Sequence, residues 1–137
     1  MLWLLRLLFA ALFVTMTAFF IRAGADRSIL TLPAAAAGDR WMEAVLTSAA
    51  LSCLLGYLWI AWKERSFQAR LLWALAIILW GNLPILLYIL IELMHVDQSK
   101  EISSVIAHRH RGRQGFPATL VVLGLAVHGI AAWPLLT

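Results

Sequence analysis

Two strongly polar side chains, Asn82 and His128, lie deep inside otherwise apolar sequence. Asn82 stands 11 residues past Leu71 and His128 eight residues before Leu136. At the helical rise per residue these offsets place them about 16 Å and about 12 Å from one membrane face. An amide and an imidazole at similar depth can bond to each other as structural glue between helices, or hold a proton or ligand near the midplane. A second constellation lies nearer the opposite face. Gly81, Pro84, Tyr88, Glu92 and His95 are spaced 3, 4, 4 and 3 apart, which sets them on one side of a helix. Glu92 and His95 are expected at the level of Glu43, with Arg22 and Arg40 in reach. Such a group can form a polar vestibule or a metal site; its simpler role is interfacial ion pairing that holds helix ends in register. No metal is assigned to it. His108-Arg109-His110-Arg111-Gly112-Arg113 offers two imidazoles, but the interleaved arginines repel a cation, and contact with anionic lipid is the better account.

The remaining chemistry is sparse. Haem held by two histidines needs imidazoles at matching depth on facing helices, and His95 and His128 fall on opposite sides; no cofactor is assigned. Cys53 is the only cysteine, so no internal disulfide or thiolate metal site can form. No paired acid and base at hydrolase spacing, phosphate loop or nucleophile elbow is present. The expectation is therefore a protein without catalysis.

These residues must be positioned by membrane helices. Of 137 residues, 63% are hydrophobic and 13% charged, about half the charged fraction usual in soluble domains, and the mean hydropathy is +0.86. The longest charge-free stretches, 7–21, 44–62, 71–91 and 114–137, contain 15, 19, 21 and 24 residues. Three of them reach the roughly 18–20 residues that cross a bilayer core. Lipid cannot satisfy exposed backbone groups, so helices are forced, and the alternation of a membrane barrel is absent. Four spans are expected, at about 2–21, 41–62, 69–94 and 116–136, in one domain over 1–137: an all-α membrane protein, a four-helix bundle running up-down-up-down. Within the third span, Pro84 is expected to kink the helix. Ala23-Gly24-Ala25 has the form of a signal cleavage site, but Arg22 intervenes between it and the apolar run, and an uncleaved first helix is expected. A mature start at Asp26 would leave three spans.

In that topology the N-terminus, loop 2 and the C-terminus share one face, and loops 1 and 3 share the other. Trp3, Trp59, Trp62, Trp73 and Trp133 then gather toward the first face as an anchoring belt, with Trp41 toward the second and Trp80 near mid-depth. Orientation stays open: loops 1 and 3 hold seven of the 11 Lys/Arg, yet the other face packs three into loop 2 and the start of span 3. Ser48, Ser52 and Gly56 recur every four residues and mark a helix-packing seam of small residues, as do Ala11, Thr15 and Ala18 in span 1 and Gly124, His128 and Ala132 in span 4.

The run Tyr57-Leu58-Trp59-Ile60-Ala61-Trp62-Lys63-Glu64-Arg65-Ser66, followed by Arg70-Leu71-Leu72-Trp73, Gly81-Asn82 and Tyr88, resembles a family of small multi-span membrane proteins of bacteria and plants to which no activity is assigned. The resemblance covers roughly spans 1 to 3. It implies a multi-span protein with loop 2 cytoplasmic, and it implies no cofactor or catalytic residue.

The leading functional expectation is a structural or accessory component of a membrane, the inner membrane if the source is bacterial. Its partners would be the lipid bilayer and another membrane protein or further copies of the chain, and not nucleic acid, because the net charge of +4 sits in helix flanks and loops. A second is a proton-coupled or small-solute permease using His128, Asn82 and Glu92. A third is an enzyme or cofactor carrier acting on a lipid or quinone beside Glu43, Glu92 and His95.

Overall fold

The computed structural model describes residues 2–26, 38–95 and 114–132. Among them are five helices and no strand: α1 (Leu2–Asp26), α2 (Arg40–Lys63), α3 (Phe67–Trp80), α4 (Leu83–His95) and α5 (Gly115–Ala132). The all-helical expectation holds. Two helices, over Leu2–Ala23 and Arg40–Lys63, are long and apolar enough to cross a membrane; α3, α4 and α5 are shorter apolar helices.

Local chemistry sets the boundaries. Asp39 caps α2, its carboxylate accepting from the Trp41 and Met42 amides at 2.9 and 3.3 Å, which satisfies donors that the first turn leaves open. At the far end Glu64 turns the chain into extended backbone. Arg70 Nε donates to the Glu64 carbonyl at 2.8 Å and clasps the turn into α3.

The largest departure from expectation lies in the third apolar stretch, where composition predicts one span over 69–94. Instead α3 stops at Trp80, and α4 starts at Leu83 and runs back. Gly81 adopts φ 62° and ψ −131°, a conformation open in practice only to glycine, and its amide closes α3 by donating to the Ile77 carbonyl at 2.7 Å. Pro84 then falls in the first turn of α4, where its missing N–H costs nothing and its fixed φ suits the helix. Rather than kinking a continuous helix, Pro84 helps to start a new one. The reversal is visible in the rings of Trp73 and Tyr88, whose centroids are 5.1 Å apart, edge to face. In an unbroken helix residues fifteen apart would be separated by about 22 Å.

Doubling back places α4 parallel to α2 with a constant offset of 29 residues. Cys53 meets Asn82, Gly56 meets Ile85, Trp59 meets Tyr88 and Lys63 meets Glu92. The spacing on both helices is 3 to 4, one face of each. Gly56 allows the close approach: a Cβ there would overlap the Ile85 side chain, with Cγ2 only 3.0 Å away. On the other side of α4, α1 runs antiparallel. Arg6 Nε donates to the Leu93 carbonyl at 2.9 Å, and Phe20 lies beside Gly81 and edge-on to Trp80. Helix α5 runs parallel to α3, from Gln114, bonded to Gln68 at 3.0 Å, past Leu120, whose carbonyl accepts from Trp80 Nε1 at 2.9 Å. Gly124 provides the close contact here, since a Cβ would lie 3.0 Å from Leu79 Cβ.

The start of α1, the α2–α3 turn, the end of α4 and the start of α5 therefore share one end of the molecule. The ends of α1 and α5 and the start of α2 lie at the other. This corrects the expected arrangement of faces, in which α5 starts beside the start of α2 and finishes beside loop 2. The core is small, centred on Ile60, Trp73, Ile77 and Tyr88. Outside it, α1 has no buried side chain in its apolar window, and large apolar residues such as Phe19, Leu55 and Ile78 are 64%, 69% and 78% exposed.

Candidate functional site

The most polar place in the interior is not among the sites expected from sequence. Lys63, wholly buried, pairs with the buried Glu92. Its ammonium stands 5.1 Å from the Trp59 ring centroid and 5.8 Å from that of Tyr88, within the range of cation–π attraction. Tyr88 donates its hydroxyl to Glu64 Oε1 at 3.1 Å, and its ring meets Trp59 at 5.5 Å edge to face. Four elements contribute: the last turn of α2, the turn after it, the second turn of α3 through Trp73, and α4 from its middle onward. In so apolar a setting a lone ammonium or carboxylate would be strongly penalised; paired and ringed by aromatic faces, the two charges compensate each other.

Sequence reading places Lys63 in a solvent-facing loop and Glu92 at the opposite face. Two signals point the other way. Lys63 continues the Cys53, Gly56, Ile60 face of α2 at helical spacing, and Gly81 with Pro84 three residues later has the stop-then-start form of two helices.

The reversal also redistributes the expected cluster of Glu43, Glu92, His95, Arg22 and Arg40. Glu43, Arg22 and Arg40 are exposed at the end of the molecule where α1 finishes and α2 starts. Glu92 and His95 are at the other end, with His95 Nδ1 donating to the Ile91 carbonyl of its own helix at 2.6 Å. The five residues are not brought together. Asn82 and His128 are not bonded to each other either. Asn82 Oδ1 accepts from Cys53 Sγ at 3.1 Å, tying the hairpin tip to α2, while His128 Nε2 donates to the Leu79 carbonyl at 3.0 Å, tying α5 to the end of α3. Of the Ser48, Ser52, Gly56 seam, only Gly56 packs against another helix among the described residues; Ser48 and Ser52 are exposed, and Ser52 bonds back to the Ser48 carbonyl at 2.9 Å. The basic run 108–113 and Trp133 lie outside the described residues.

A cavity of about 40 Å³ adjoins the ion pair, lined by Trp73, Tyr88, Glu92 and Phe116 among others. No three His, Cys, Asp or Glu side chains among the described residues are grouped to hold a metal ion. Chemically, the arrangement is a clamp. Lys63 is wholly buried, and its carboxylate partner comes from the returning arm of the hairpin, so the charges fasten α4 to α2. Comparison of the chain with protein families, curated proteins and solved structures finds no match to any of them.

Proposed function

We propose that this chain is a multi-span integral membrane protein with a structural or accessory role. In this reading α1, α2 and α5 cross the bilayer, and α3 and α4 form a re-entrant hairpin. The hairpin arms, 14 and 13 residues, are about 20 Å long and reach about two-thirds of the way through a hydrocarbon core of about 30 Å. The observation that carries the reading is the 29-residue register of α4 against α2, ending in the Lys63–Glu92 pair. Charges survive inside lipid when paired, and non-helical backbone at membrane depth survives when buried in protein. The Gly81-Asn82 turn is half-buried, between Phe20 of α1 and Cys53 of α2.

The exposed surfaces of α1 and α2 support an accessory role. A soluble domain avoids apolar surface on this scale, whereas lipid or neighbouring helices cover it readily. On α2 the exposed Ser48 and Ser52 would let another helix approach closely. The permease alternative has less support, because Asn82 and Glu92 stand at opposite ends of α4, and Asn82 and His128 bond to different helices of the chain.

A photoreactive amino acid at Ser48 or Ser52, activated in native membranes, tests the accessory role. One discrete adduct, either a second copy or a single membrane protein, is expected. Adducts with lipid alone at both positions would contradict it.

A further inference from the structure

Trp73 is 2% exposed, and its indole N–H has no hydrogen-bond partner among the described residues. Buried indoles almost always find an acceptor, and an unmet donor calls for an explanation. Trp73 lines the 40 Å³ cavity beside Glu92, which has room for about three or four water-sized groups at about 10–15 Å³ each. Phe116, in the first turn of α5, also borders a second hollow: an open groove of about 380 Å³ with Leu87 of α4 and Leu120 of α5 on its walls. A small cavity with an unmet donor thus adjoins an apolar groove at one aromatic side chain. Polar groups gathered at one end, here Trp73, Glu64, Glu92 and His95, with an apolar wall beyond them are the usual composition of a small-molecule site.

We propose that groove and cavity together bind one glycerophospholipid, its acyl chain along Leu87 and Leu120 and its ester carbonyl oxygen entering past Phe116 to accept the Trp73 indole N–H. This rests on the membrane-embedded reading above. Depth favours this occupant: the cavity lies between the last turn of α4 and the first turn of α5, at the end of the molecule that carries Arg6 and Arg70, where an acyl chain meets its first polar atoms. Charge favours a neutral ligand oxygen over an anion, since Glu92 is already compensated by Lys63 and the Glu64 carboxylate, which also lines the cavity, opposes a fatty-acid carboxylate or a phosphate. The cavity volume admits a carbonyl group and excludes a headgroup.

The test is lipid retention by the full-length chain. Purified protein is reconstituted in nanodiscs of dioleoylphosphatidylcholine, released into the gas phase and weighed by native mass spectrometry. The wild-type chain is expected to hold one lipid. Leu87→Trp, which fills the groove, is expected to abolish retention. Trp73→Phe, which removes only the donor, is expected to weaken it about fivefold, the factor for one hydrogen bond. In the indole N–H region of the NMR spectrum, the Trp73 resonance should shift on lipid addition in the wild type and in Phe116→Leu, a variant that keeps the donor. No retained lipid, equal retention in all variants, an indole resonance that reports water only, or retention of oleate or a prenylquinone in place of the ester lipid would each overturn the proposal. Alkaline carbonate extraction of the same preparations separates the two readings. Recovery in the soluble fraction overturns both, while a chain that stays in the membrane without holding lipid overturns the site alone.

Discussion

Lys63 and Glu92 lie 29 residues apart, carry opposite charge and pair in the interior, beside the buried Glu64. Removing one partner from a buried pair leaves the other uncompensated and costs about 3–5 kcal/mol, whereas replacing both with apolar groups of similar size is often neutral. Lys63→Met and Glu92→Leu are each expected to lower stability in detergent by about that amount, and the double variant to recover most of the loss. A double-mutant cycle on unfolding free energy measures the coupling. Additive losses would mean that the two side chains do not meet. The residue scale also shows what is hidden in the sequence. Lys63 stands at a helix end between Trp62 and Glu64, where lysines ordinarily reach for solvent. Only its partner's position, fixed by a turn eighteen residues later, reveals why it stays inside.

At the scale of elements, that turn decides the architecture. Gly81 is held at φ 62° and ψ −131°, and a side chain there would add about 1–3 kcal/mol of backbone strain. Gly81→Ala is therefore expected to destabilise the chain by that amount, read from thermal unfolding in detergent, while Gly129→Ala, at an open helical position, leaves stability unchanged or raises it slightly. Equal behaviour of the two variants would indicate an unbroken third helix. Composition and charge-free run lengths make α1 and α2 legible, because a span of 22–24 apolar residues needs no tertiary information. They mislead for 69–94, since a hairpin of two short apolar helices and a single long one have the same composition. Gly81 and Pro84 carry the distinction, and their order, helix-ending glycine before helix-starting proline, is a local signal that hydropathy averages out. The candidate site is less legible still. Spacing puts Glu92 and Tyr88 on one face of a helix, but the direction of that helix determines which charge they meet.

For the whole molecule, the hairpin changes which charges would share a face in the proposed membrane arrangement. With α4 returning to the end where α3 begins, Arg6, Lys63, Arg65 and Arg70 belong to one face. Of the other described basic residues, Arg22 and Arg40 lie at the opposite end. Four of the six described basic residues thus share one end, and in the proposed membrane arrangement the positive-inside tendency would favour the cytoplasm for that end. The most direct test of the re-entrant hairpin is the sidedness of Gln114, which bonds Gln68 at the α2–α3 end in this architecture and would lie on the opposite face in a four-span bundle. Three variants, Ser66→Cys, Gln114→Cys and Arg40→Cys, each made in a Cys53→Ser background, are labelled with a membrane-impermeant maleimide in sealed vesicles of known orientation. The predicted result is that the Gln114→Cys and Ser66→Cys variants label from the same side, opposite to the side that labels Arg40→Cys. Labelling of Gln114→Cys from the side that labels Arg40→Cys would contradict the hairpin.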